Sequence, residues 1–290
     1  MSSFRGPASV LSSTRAELLR LGRWPALWVM LGAGLLLNIL FGYVFDYVGY
    51  RTGGGSEVSE GLPPELLLGR LLPGGVPEIT LQGTPMFGGA ILLILGALVI
   101  GGGYGWGTWK TVLTQGPTRA AAYGGTLTAL AVVVLALVTA TILVNFGIAA
   151  LISGVESRPA GWPPVSEVVR AFGGAALIYA MWTAAGVLVG TLARSPALAV
   201  GLGLVWALVV ENLMRAVANA LDGLAAVTDL LPGTAAGSLA GALGATTFGD
   251  EGTPGVLDIL DGGPAVLLLV AYTAVFAVAA GLLITRRDVF

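Results

Sequence analysis

Long, nearly unbroken apolar runs separated by short polar stretches dominate this chain, and the length of those runs predicts its architecture. About 20 apolar residues at about 1.5 Å rise cross a bilayer core of about 30 Å. Six runs have that size: 25–45, 85–103, 121–153, 172–192, 197–215 and 263–285. Within them apolar residues follow one another continuously rather than alternating, which predicts spanning helices rather than barrel strands. The third run exceeds what a span requires and should tilt or project beyond the lipid. The pattern therefore predicts an all-α polytopic membrane protein, residues 1–290 forming a single transmembrane domain.

The polar stretches are not uniform. Residues 9–23 read as a helix lying in the interface, the alternative being a frayed basic tail that only sets topology: Val10, Leu11, Thr14, Leu18 and Leu21 fall within about 100° of arc, with Arg15, Arg20 and Arg23 elsewhere. Residues 46–84 read as an irregular loop with one short helix, opened by Pro64 and closed by Pro73-Gly74-Gly75. The stretch 221–245 is too apolar for a solvated loop, yet Pro232-Gly233 breaks it before it could span. It fits two short helices dipping into the outer leaflet as a re-entrant segment before the last helix, and fits also a surface loop with one ordinary helix.

Composition and charge sharpen this picture. Only 10% of residues are charged against 56% hydrophobic, and mean hydropathy is +0.88, which rules out water as the main solvent. With no cysteine and no histidine, disulfide scaffolds, thiol nucleophiles, Cys/His zinc sites and histidine bases are all excluded. Placing the amino terminus inside puts nine of the fourteen Lys and Arg residues inside and fourteen of the sixteen acids outside. That arrangement satisfies the positive-inside rule and predicts both termini on the cytoplasmic side of a plasma (inner) membrane. Arg supplies thirteen of the fourteen basic residues beside many Ala and Gly, the bias of a GC-rich bacterial genome.

Two places could carry mechanism. The first is the inner segment 107–119, where Lys110 to Thr114 make a short helix, Thr108 can cap its start and Gly116-Pro117 stop it. The residues fit a docking element and fit equally a basic anchor that only holds topology. Gly102 and Gly107 have phosphate-loop spacing, but Thr108-Trp109 stands where Lys and Ser/Thr are needed, so the chain has no ATP site of that kind. The second place is Glu211, about 21 Å into the fifth span, with Arg215 one turn on. A structural ion pair and a substrate or gating contact both fit it. Asn38, Asn145 and Asn212 read as interhelical hydrogen-bonding groups, and Gly186 and Gly190 as a close-approach pair serving either internal packing or a dimer. Trp24, Trp28, Trp106, Trp109 and Trp162 read as interface anchors.

The run Trp106-Gly-Thr-Trp-Lys110 followed by Leu113-Thr-Gln-Gly-Pro-Thr-Arg119 resembles the cytoplasmic segment of type-2 ABC exporter permeases. Gly186 to Gly201 resembles that family's tight turn between spans four and five, and Leu230 to Leu239 its outer segment before the last span. The resemblance implies a permease subunit that works as a dimer of two six-span copies. It implies that 107–119 is a coupling helix meeting separate ABC ATPase subunits, with Gly107, Thr108, Lys110, Thr111, Gly116, Pro117 and Arg119 as contact positions. Gln115 departs from the family pattern. ATP and Mg would be bound by the partner and no cofactor by this chain, which is then not itself an enzyme; nucleic acid plays no part. The expected activity is ATP-driven export of a hydrophobic or amphipathic substrate. The competing expectation is an autonomous channel or ion-coupled carrier using Glu211.

Overall fold

The computed structural model describes residues 7–53, 63–114, 116–220, 225–245 and 253–286. Arg5, Gly54, Gly55, Gln115, the start of the 221–245 stretch, Arg287 and Asp288 lie outside them. Among the described residues the structure is all helix and turn, with no strand. In chain order the helices are α1 (Pro7–Gly22), α2 (Pro25–Thr52), α3 (Pro64–Leu71), α4 (Val76–Gln82), α5 (Thr84–Gly105) and α6 (Thr108–Thr114). They continue with α7 (Arg119–Val155), α8 (Val165–Ala193), α9 (Pro196–Ala218), α10 (Ala225–Thr228), α11 (Pro232–Ala242) and α12 (Gly262–Arg286). Six of these, α2, α5, α7, α8, α9 and α12, are long and apolar enough to cross a membrane, so the protein is a multi-pass membrane protein of all-α class. Proline opens α2, α3, α9 and α11, where its preset φ and missing N–H cost a helix nothing.

Packing divides the spans into a centre and a periphery. In α5 and α8, 67% of the most apolar stretch is buried; in α2, α9 and α12 the share is 17%, leaving most of their apolar surface for lipid. The α5–α8 contact is close because small residues face each other. A Cβ on Gly186 would stand 2.0 Å from the Leu93 carbonyl oxygen, and one on Gly96 2.3 Å from that of Thr183. Gly190 meets the Ala97 carbonyl in the same seam. The Gly186/Gly190 pair therefore packs two helices of one chain, settling one of the two uses its spacing allowed.

Buried polar groups tie helices outside this centre to one another. Asn145 on α7 is fully buried and accepts from Asn38 Nδ2 at 2.6 Å, donates to Thr80 Oγ1 at 3.0 Å, and offers its carbonyl to the Tyr43 hydroxyl at 3.0 Å. These bonds join α2, α4 and α7, as expected of Asn38 and Asn145, whereas Asn212 bonds to the Leu208 carbonyl and Arg215 of its own helix α9. α7 has 37 residues, about 55 Å of helix against a core of about 30 Å, longer than a span requires, as the length of its apolar run predicts.

The stretch 46–84 departs from expectation. α2 runs on through Thr52, and a second helix, α4, follows α3. Beyond the apolar run, α2 continues because tertiary partners satisfy its polar side chains. Asp46 meets Arg70 at 3.7 Å, while Tyr47 and Tyr50 donate to the Glu156 carboxylate at 2.8 and 3.1 Å. Tyr43, Leu71, Val76, Ile79 and Ala149 form a small second core under this cap. α8 likewise starts seven residues before its predicted span, directly after Pro164.

The Tyr47 hydroxyl, then that of Tyr50 and the charge of Arg51, hold Glu156 below the ordinary carboxylate range against the opposing effect of its desolvation. A carboxylate with a depressed folded-state pKa contributes stability above its unfolded value, and that contribution is lost as pH falls through the folded value. The apparent melting temperature should therefore drop as pH is lowered beneath about 4.5. Glu156→Gln should start lower at neutral pH and lose less on acidification, a difference that parallel thermal scans of the two proteins measure.

Candidate functional site

α1, α6, the α8–α9 turn and the end of α12 gather on one face of the helix bundle. α6 is joined to its neighbours by two glycines in the left-handed region, Gly107 at φ +68° and Gly116 at φ +114°, conformations that side-chain-bearing residues adopt at a cost. Gly107, rather than Thr108, stands at the head of the helix. Its carbonyl accepts from the amides of Lys110 and Thr111, and Thr108 is already the first helical residue. Thr118 performs the capping instead, for α7, accepting from the Ala121 amide at 3.2 Å.

α6 is anchored through its apolar side. Trp109 is buried beneath α5, its indole filling the space that a Cβ on Gly103 would need and lying 6.1 Å from the Tyr104 ring. Val112 and Leu113 are half-buried on the same core. Trp109 is thus an internal wedge, correcting its reading as an interface anchor; Trp28, Trp106 and Trp162 are exposed as that reading expects. The opposite side of α6 presents Lys110, Thr111 and Thr114, with exposed Gly116 and half-buried Pro117 just beyond. Arg119 is also half-buried and reaches the Thr285 carbonyl at 3.5 Å, across to the last turn of α12. The positions singled out in 107–119 therefore split into an exposed contact strip and an anchor to α12.

Glu211 lies on the other face, where α9 meets the segment that carries α10 and α11. A π-helical turn over Val205–Val210 precedes it and aims the side chain at α11. The carboxylate is fully buried: Oε1 accepts from Trp206 Nε1 at 3.0 Å and Oε2 from the Gly233 amide at 2.8 Å. Arg215 Nη1 stands 3.8 Å from Oε2, and its guanidinium also donates to Thr234 Oγ1 at 3.2 Å and Asn212 Oδ1 at 2.6 Å. Thr234 passes its own proton to the Thr228 carbonyl at 2.8 Å. Glu211 and Arg215 are thus brought together as their spacing predicts, and both are committed to the start of α11. The carboxylate binds the helix end where unpaired amides and the peptide dipole favour negative charge.

Gly233 admits this bond, since a Cβ there would stand 2.1 Å from Glu211 Oε2. Sequence reasoning missed Trp206, Thr228, Gly233 and Thr234 as partners. The Pro232-Gly233 start of a helix was a visible signal, but nothing in the chain order said which acid would meet it. α11 itself is buried over most of its length, and α10 is a single turn, consistent with the dipping segment expected there.

Neither a protein-family model nor a curated protein matches the chain.

Proposed function

We propose that this protein is the membrane-spanning permease subunit of an ATP-driven exporter of the ABC type, working as a dimer with separate nucleotide-binding subunits. In this reading α6 is the coupling helix, the face that carries it is cytoplasmic, and a hydrophobic or amphipathic substrate leaves by the face that carries α11. ATP and Mg belong to the partner, and this chain supplies a two-state gate whose equilibrium the partner biases.

The observation that carries the proposal is the construction of α6. A helix of seven residues, pinned by a buried tryptophan and bounded by two left-handed glycines, holds Lys110, Thr111 and Thr114 outward. Such an element transmits a push rather than absorbing it, because Trp109 bears on α5 and the following Arg119 on α12. The substrate class is the one that the resemblance implies, and the low burial of α2, α9 and α12 is compatible with entry from lipid.

Affinity purification of the full chain in mild detergent should bring down an ATPase, and the reconstituted pair should hydrolyse ATP faster with substrate. Lys110→Glu should leave the melting temperature within about 1 °C, as surface substitutions do, and lower substrate-stimulated hydrolysis at least several-fold. Unchanged stimulation would remove α6 from the coupling role. Transport by the purified chain alone in vesicles would favour the ion-coupled carrier that Glu211 suggested and sink the exporter reading.

A further inference from the structure

We infer that α1 and the turn after it carry a binding surface for acidic phospholipid headgroups, formed by Leu11, Arg15, Leu19 and, in that turn, Arg23. The argument begins with how α1 is held. Thr14 and Leu21 are buried against the bundle, and the first turns of α7 come close because Gly125 lacks a side chain; a Cβ there would stand 2.5 Å from Ser13 Cβ. This contact fixes the rotation of α1 and with it the face turned away from protein. Leu11 and Leu19 are 72% and 59% exposed, although the periodicity placed Leu11 in the same apolar arc as buried Leu21. Arg15 and Arg23 are exposed as well. The four residues follow at steps of four, so leucine and arginine alternate along one stripe.

Charge distinguishes these arginines from their neighbour. Arg20 is neutralised by Glu17, its Nε donating to Oε2 at 2.9 Å. Among the described residues neither Arg15 nor Arg23 forms an ion pair. Two tryptophans mark the depth. Trp28 is 61% exposed and donates from Nε1 to the Gly22 carbonyl at 2.9 Å, next to Arg23, and Trp106 is exposed where it meets Trp24 edge to face at 6.5 Å. Exposed indoles with one polar bond settle at headgroup level. A helix fixed at that depth with alternating Leu and Arg sends its leucines toward acyl chains and its guanidinium groups to phosphate. The complementary occupant is therefore an anionic bilayer surface.

The test uses the full-length protein in mild detergent, offered equal amounts of phosphatidylglycerol and phosphatidylcholine, with retained lipids counted by native mass spectrometry. The native chain should retain phosphatidylglycerol preferentially. A basic residue near an acidic surface contributes about fivefold in binding, so Arg15→Gln with Arg23→Gln should cut the preference by an order of magnitude or more. Arg15→Lys with Arg23→Lys should keep most of it, and Arg170→Gln, an exposed arginine at the start of α8, should change nothing. Each single Gln substitution should give an intermediate loss and covers the case of a poorly folding double variant. An undiminished preference in the Gln variants overturns the inference, as does a Lys variant no better than Gln. Displacement of the lipid by soluble glycerol 3-phosphate would show a free-anion site instead and would also overturn it.

Discussion

Glu211→Ala should be the most damaging single truncation on the face that carries α11. It strands the Trp206 indole, the Gly233 amide and the Arg215 guanidinium, which all converge on that carboxylate. Removing one partner of a buried pair costs about 3–5 kcal/mol, most of it from the groups left behind. The apparent melting temperature should fall by on the order of ten degrees, read by tryptophan fluorescence during heating in detergent. Glu211→Gln should fall between the two, because the amide keeps the shape and one acceptor but turns an N–H toward donors. If Glu211→Gln keeps native stability and abolishes transport, the latch is not structural and the carboxylate has a gating or ion-binding duty. If it loses stability and transport together, the bond to α11 is what holds the working shape of that face.

The second large effect is expected inside the α5–α8 seam. Gly186→Val should push the two central helices apart, since even a Cβ would meet the Leu93 carbonyl at 2.0 Å and that neighbour is backbone. Overpacking of this kind costs about 1–3 kcal/mol in ordinary cores, and a rigid backbone contact belongs at the upper end. Gly173→Ala on the same helix provides the contrast. Its Cβ would meet nothing within 4 Å, and alanine is the better helix former by about 1 kcal/mol. It should hold or raise stability. If Gly186→Val instead preserved the melting temperature while changing the number of chains per particle, the seam would be between copies rather than within one.

How much of this was legible beforehand varies by element. The six spans were readable because an apolar run long enough to cross a bilayer has few other uses in a chain so poor in charge. Their ends were not. α2 and α8 extend past the apolar windows, and what extends α2 is a set of bonds to Asp46, Tyr47 and Tyr50 from residues up to about a hundred positions away. At α6, Gly116 was correctly marked as the stop, because a left-handed turn selects glycine locally, whereas the start was given to Thr108 and falls at Gly107. Trp109 was misassigned, since composition cannot tell a tryptophan at a lipid interface from one wedged under a helix. For Glu211 the pairing with Arg215 was readable at a spacing of four, whereas the bond to Gly233 was not.

The sequence by itself determined the solvent, the helical class, the number of spans and the glycine stop after α6. Each of these follows from local hydropathy or local backbone freedom. Only the tertiary structure decided that Gly186 packs within the chain, that Trp109 faces inward, that Leu11 turns outward on α1, and that Glu211 closes onto the start of α11. These are relations between segments far apart in the chain. They depend on which faces meet once the spans assemble, and no periodicity within one segment encodes its neighbour.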